Sequence, residues 1–405
     1  MSARKPFHAE FDAVVDFFPP ADVPQFAYGI VKYTYDIADG RLTRAAVEPL
    51  VHDIRDPELQ PRWLPGCDFW PTKEHTDVAV RGSAHSAGHS PVQKSVVRLV
   101  VADRAKEIAV FGERSVDWRG RGDIRFSDPE PFTEVPMAWT HAYGGWDPRV
   151  PIGKDELSVA DVSRLEFDHP GVYPRNPFGK GYVVVDQACE ALLPNLEDPA
   201  HLLTPRNWVT GDPARWWKQP MPACLDFTSP MMFHRYCWLG AEAWFHPHAG
   251  AKLPEIDLGL LPPDFHELRG RLSDSPILMQ DGSFGQVFEP LAAGTPVSIE
   301  GMHPTLRRIR FALPQPPRLE FIVEGHIYAA QPHLTTVLVE PDFPRVSLTY
   351  VARQVEMPRV FVPGIHGKIP MTLRIDGGVD VDYVTPPTIR AQRKQAEASP
   401  VVRKR

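Results

Sequence analysis

Val31-Lys-Tyr-Thr-Tyr-Asp-Ile37 alternates without a break. Val31, Tyr33, Tyr35 and Ile37 fall on one side of an extended chain, with Lys32, Thr34 and Asp36 on the other. A period of two in a run rich in β-branched and aromatic residues predicts a half-buried strand. Asp39-Gly40 is a turn signal and Arg41-Leu42 starts the return, so the pair reads as a hairpin. The same pattern recurs at Thr76–Arg81, Val92–Val101 and Glu107–Phe111, the last ending at Gly112. The first 130 or so residues thus read as antiparallel strands.

Strand signals return at Thr295–Glu300, Arg307–Leu313 and Leu319–Glu324. They are clearest in Thr335–Glu340 and Arg345–Tyr350, joined by Pro341-Asp-Phe-Pro344. Between these β-rich stretches lies a region rich in Pro, Gly and Trp with little periodicity. Short helices are expected there at Ser158–Phe167 and from Asp264 to Leu272. Its tryptophans argue for ordered loops, because disordered chains are poor in aromatics. The 45 prolines, close to twice the usual share of ~5%, are spread along the chain and rule out long helices.

The expected fold is therefore mainly β. It comprises antiparallel, sandwich-like sheets with long ordered Pro/Gly/Trp-rich loops and a few short helices. The expected organisation is a β-rich lobe over 1–185, a loop-rich aromatic segment with a second β-rich lobe over 186–385, and a basic, disordered tail over 386–405.

A formal charge of −7 over 405 residues leaves no basic footprint for nucleic acid. No run of 18 apolar residues predicts a membrane span, and the charged N-terminus lacks a leader's apolar stretch, so a cytoplasmic location is expected. Cys67, Cys189, Cys224 and Cys237 are scattered, without the paired spacing of a cysteine metal site.

Catalytic signatures are missing where they would be diagnostic. Asn176-Pro-Phe-Gly-Lys-Gly181 has a Gly-Lys pair, but Pro174 and Gly181 stand where a phosphate loop needs Gly and Ser/Thr. No Gly-x-Ser-x-Gly elbow occurs. Glu130 with Glu134, and Asp186 with Glu190, lack a context that would separate their acidities. The best metal-ligand set is His246-Pro-His248 with Glu242 or His234, since side chains two apart on an extended segment point the same way. It supports an alternative reading as a metal-dependent hydrolase. The leading reading assigns no catalytic residue, metal or cofactor.

Two groups of residues remain. Trp216, Trp217, Phe233, Tyr236, Trp238, Trp244 and Phe245 are concentrated within thirty residues and are candidate anchors for a protein partner. Pro129, Pro131, Phe132, Tyr143, Gly144, Gly145, Asn176, Gly179, Gly181, Pro194 and Asn195 instead look built to set loop geometry.

The second group sits in an ordered series: Asp68-Phe-Trp-Pro-Thr-Lys73, Thr76–Gly82, Phe126–Phe132, Ala142-Tyr-Gly-Gly145, Asn176–Tyr182, Leu193–Pro199, Leu334–Asp342 and Arg345–Tyr350. The series resembles a bacterial domain-of-unknown-function family that accompanies type VI secretion loci and supplies effector chaperones or adaptors. The resemblance covers about residues 10 to 355 and departs from the family pattern over Pro205–Trp238. It implies a non-enzymatic cytoplasmic factor. Such a factor would bind a toxic effector, or a PAAR-like or VgrG-like spike protein, and load it onto the secretion spike.

Overall fold

In a computed structural model of the chain, the structure describes residues 8–18, 26–51, 68, 73, 75–120, 123–147, 149–150, 171–173, 175–184, 189–208, 219–227, 283, 285–354 and 371–382. The fold is mainly β: the described residues form strands and two 3-10 turns, Ala87–His89 and Trp139–His141. The helices expected at Ser158–Phe167 and Asp264–Leu272 lie outside the described residues, as does the basic tail.

The chain divides into two compact units assembled from separated stretches. The first holds residues 1–12, 31–316 and 333–351, the second 13–30, 317–332 and 352–405. The expected lobes, 1–185 and 186–385, are each continuous.

The main sheet is ordered Phe11–Phe18, Phe26–Ala38, Arg345–Gln354, His333–Glu340, Thr76–Val80 and Val287–Phe288, with Arg41–Arg44 also paired to Phe26–Ala38. The late hairpin is therefore inserted between strands from the start of the chain. Most ladders are antiparallel, but Thr76–Val80 runs parallel to His333–Glu340, with Asp77 opposite Thr336 and Val80 opposite Val339. A parallel pair needs a crossover, and here the crossover is most of the chain.

Within the first unit the reading of Val31–Ile37 needs one correction. The side carrying Tyr33 is buried as expected, but Lys32 and Thr34 on the opposite side are 5% and 0% exposed, and only Asp36 is open. Alternation reports which side chains are polar, not whether polar ones are dry. Lys32 donates to Asp68 Oδ2 (3.0 Å), Thr349 donates to Asp68 Oδ1 (2.6 Å), and Thr34 and Ser347 hydroxyls are 3.0 Å apart. A second buried ionic centre lies along the same sheet. Lys73 Nζ is 2.6 Å from Asp77 Oδ2 with both side chains fully buried, and His75 Nε2 is 3.3 Å from Asp77 Oδ1. Around Lys32 the polar face is dry because Asp68, Thr349, Thr34 and Ser347 meet its charge and hydrogen bonds internally.

A five-stranded antiparallel sheet is ordered Leu196–Glu197, Arg104–Phe111, Lys94–Val101, Pro296–Glu300, Arg308–Ala312. Its outer face carries a row of alternating charge, Arg308–Glu300–Arg98–Glu107, fixed by register. The second unit contains a four-stranded antiparallel sheet, His326–Ala330, Leu319–Val323, Met371–Ile375, Val379–Asp382. Leu319, Phe321, Val323, Met371, Leu373 and Ile375 line its buried face, where a Cβ on Gly29 would meet Leu373 Cδ2 at 2.7 Å.

Candidate functional site

The loop-shaping phrase folds into one interlocked knot. Asn176, fully buried, donates from Nδ2 to the carbonyls of Trp139 (2.8 Å) and Tyr143 (3.1 Å). Its own carbonyl accepts from Gly145 N at 2.8 Å and Gly179 N at 3.2 Å. The glycines are required by contact as much as by conformation. Gly144 has φ 147° and Gly145 φ 93°; a Cβ on Gly144 would lie 2.0 Å from the Asn176 carbonyl oxygen, and one on Gly179 2.5 Å from that of Ala142. A short parallel ladder, Tyr143 with Lys180 and Gly144 with Gly181, joins the two stretches.

Pro129 and Pro131 flank Glu130, which with Phe132 holds the neighbouring strand end. Phe132 exchanges backbone hydrogen bonds with Val92, and Glu130 N donates to Glu113 O. Gly112 passes so close beneath that an added Cβ would sit 1.8 Å from the Glu130 carbonyl oxygen. Asn195 donates from Nδ2 to Phe111 O (3.0 Å), and its amide donates to His141 O (2.8 Å). Pro194 accepts from Arg114, whose guanidinium also pairs with the buried Glu197. Pro194 Cδ lies where a Cβ on Gly181 would need to be, at 2.9 Å.

Buried aromatics fill the space under this knot. Tyr143 packs edge-on to Tyr173 and Tyr173 lies tilted against Tyr182, with ring centroids 5.0 and 5.1 Å apart. Burial pushes all three hydroxyls above the ordinary tyrosine range, so they stay protonated and neutral. Trp208 packs edge-on to Trp118 at 5.8 Å and donates to Gly181 O at 2.7 Å.

Two of these tyrosine hydroxyls, with Arg175 and Trp139, hold the described residues that flank two stretches outside the described residues. For 209–218, Trp208 is seated in the cluster on one side. On the other, Gln219 accepts from Tyr143 OH (2.8 Å), Pro220 O from Tyr173 OH (2.9 Å), and Gln219 O from Arg175 (3.1 Å). For 228–282, Phe227 O accepts from Trp139 Nε1 at 2.6 Å, and Ser283 Oγ donates to Asp226 O at 2.5 Å. The stretch therefore begins and ends at one place. Gln286 closes that root by donating to Val78 O and Leu225 O, each at 2.7 Å. Burial raises the Asp226 carboxyl, with Arg81 opposing, and lifts the Cys224 thiol to about 12, which leaves it an inert core residue.

The candidate partner anchors Trp216, Trp217, Phe233, Tyr236, Trp238, Trp244 and Phe245 all fall on these two stretches, outside the described residues. So do the candidate metal ligands His234, Glu242, His246 and His248. Among the described residues, no group of three His, Cys, Asp or Glu side chains could hold a metal ion, and no helix is long and apolar enough to cross a membrane. Sequence reasoning passed over the Lys73–Asp77 and Lys32–Asp68 pairs. Asp68, Lys73 and Asp77 do stand in the quoted series, and that was the signal available.

A protein-family model described as "Uncharacterized protein conserved in bacteria (DUF2169)" matches residues 25–351. The chain belongs to this family. The DUF2169 match spans the whole knot, both anchored stretches and both buried ion pairs. No curated protein and no solved structure matches the chain.

Proposed function

We propose that this DUF2169 protein is a non-enzymatic adaptor of type VI secretion. It binds a toxic effector, or a PAAR-like or VgrG-like spike-tip protein, and delivers it to the secretion spike. One observation carries the reading: side-chain donors hold the ends that flank 209–218 and 228–282, with Tyr143, Tyr173 and Arg175 at Gln219 and Pro220 and Trp139 at Phe227, and those stretches hold the concentrated tryptophans. Rigid scaffolds that fix the ends of variable segments are the usual way to present a recognition surface. Trp and Tyr on such segments supply large contact area at low entropic cost, which suits anchors in a protein interface. The buried Lys73–Asp77 centre, closed from solvent, gives a substrate no access and belongs to the scaffold.

Co-expression with the products of adjacent genes tests the reading. A stoichiometric complex is expected, and replacing Trp216 and Trp217 together by Ala weakens it while the melting temperature holds. Absence of a complex with every neighbour, in vitro and in cells, removes the proposal.

A further inference from the structure

Edge strands in soluble proteins are normally blunted by charge, proline, brevity or cover, because an open edge templates pairing with other chains. The described edge strands of four or more residues follow this rule with one exception. Phe11–Phe18 carries Asp12 and Asp16, Arg41–Arg44 two arginines, and Asp123–Phe126 Asp123 and Arg125. Cys189–Leu192 carries Glu190, Arg308–Ala312 two arginines, and Val379–Asp382 two aspartates. His326-Ile-Tyr-Ala-Ala330, the outer strand of the second unit's sheet, holds no Asp, Glu, Lys, Arg or Pro. It is long enough to pair, and Ile327 is 59% exposed.

The register shows which backbone groups are on offer. Glu324 and Gly325 both have positive φ (49° and 82°), the conformation of a two-residue type I′ turn, flanked by the pair Val323 and His326. In such a turn the flanking pair is hydrogen-bonded, and pairs alternate along the ladder. Val323–His326, Phe321–Tyr328 and Leu319–Ala330 are therefore the bonded pairs. On the other side of Leu319–Val323, Arg318 O accepts from Asp376 N, which fits the same alternation. Ile327 and Ala329 consequently turn their N–H and C=O groups away from the sheet. That makes two donors and two acceptors at a two-residue spacing, which an extended polypeptide satisfies in full.

We infer that this edge takes up an extended segment of the client protein by strand addition. Side chains across the edge define the segment. Residues opposite each other on a ladder share a face, so the segment residue facing Ile327 is apolar and β-branched. Ala329, with its small side chain, lies opposite Glu320, a half-buried acid on the same outer face; Arg374, opposite Glu320 on the other side, is held by both carboxylate oxygens of Asp380. The segment residue facing Ala329, two positions from the first, is Lys or Arg. A second copy of this chain is the competing occupant, since Ile327 and Ala329 can pair reciprocally about Tyr328. That pairing adds no cation to the one Glu320 already faces on the neighbouring strand, Arg374, and a five-residue strand alone buries well under the ~1,000 Å² of a stable interface. A client held at other points as well escapes that limit. The inference deepens the adaptor reading and rests on it for the identity of the client.

The test uses the full chain with two partners: the co-purifying product of an adjacent gene, and a labelled peptide Ser-Thr-Val-Thr-Lys-Thr-Ser. Hydrogen exchange at the amides of Ile327 and Ala329 is expected to slow at least tenfold with either partner. Ala329→Pro removes one outward N–H without touching the ladder to Leu319–Val323. It is expected to weaken peptide binding at least tenfold, as is Ile327→Lys, and changing the peptide's Lys to Glu should do the same. A client complex that leaves both amides unprotected overturns the edge assignment and spares the adaptor reading. Peptide protection without any client complex leaves the strand-binding edge and removes the adaptor reading. Protection that rises with the concentration of the chain alone assigns the edge to a second copy and overturns the inference, as does no protection by either partner.

Discussion

Replacing Asn176 by Ala tests whether the loop-shaping phrase holds its knot through side-chain hydrogen bonds or through backbone shape alone. The change deletes two donated hydrogen bonds at a fully buried site, to the carbonyls of Trp139 and Tyr143. It leaves the bonds from Gly145 and Gly179 to the residue 176 carbonyl in place, because those are backbone to backbone. The Trp139 carbonyl keeps the Ala142 amide as a donor, but the buried Tyr143 carbonyl loses its side-chain donor, so the variant should lose roughly 1–3 kcal/mol. That is a large share of a domain's usual margin of ~5–15 kcal/mol. Urea unfolding followed by tryptophan fluorescence is a suitable assay, since Trp118 and Trp208 are buried in the cluster beneath the knot. Asn176→Asp serves as the companion: it keeps the volume but turns an acceptor toward two carbonyls, and it should be at least as damaging. A loss below about 1 kcal/mol in the Ala variant would refute the reasoning and assign the geometry to the glycines and prolines.

Gly144→Ala should be worse than its small size suggests, because the new Cβ meets the Asn176 carbonyl oxygen at 2.0 Å; soluble yield and melting temperature are expected to fall sharply, and a wild-type melt would disprove the contact. Lys73→Met alone strands the Asp77 carboxylate and should cost about 3–5 kcal/mol, whereas Lys73→Met with Asp77→Leu should recover most of it, as measured by urea unfolding. For Asp77, burial acts to raise the carboxyl, but the Lys73 ammonium and His75 outweigh it and hold the group well below the usual carboxylate range. A depressed folded value stabilises above the unfolded titration near pH ~4 and is lost as pH falls further; the stability gap between wild type and Asp77→Asn should therefore be full at neutral pH and narrow in acid. Elemental analysis of chelator-free protein is expected to find no zinc, iron or manganese near one equivalent, and a stoichiometric metal abolished by His246→Ala with His248→Ala would instead favour the hydrolase reading.

Much of the β character was legible because period-two alternation and turn residues act locally. Val31–Ile37, the Asp39-Gly40 turn and the 335–350 hairpin are each decided by a few adjacent side chains. The shaping role of Gly144, Gly145 and Asn176 was also legible, since paired glycines among prolines and aromatics have few other uses. What they shape was not: the 2.0 Å approach of Gly144 to Asn176 joins residues far apart in sequence, and no local pattern encodes it. The dryness of Lys32 was equally hidden, because its partner Asp68 arrives from outside the strand.

The sequence by itself determined the strands, the turns and the family, all of which depend on neighbouring residues and their order. Tertiary structure alone decided that the late hairpin lies between early strands, that Lys73 and Asp77 are buried as a pair, and that 228–282 starts and ends at one root. It also decided that His326–Ala330 is an edge and that Ile327 and Ala329 face outward. Those are properties of pairing across long loops, where closure costs entropy that only the finished sheet repays. A strand's alternation says which face is apolar; whether a neighbour lies beyond its edge is settled only when the whole sheet has formed.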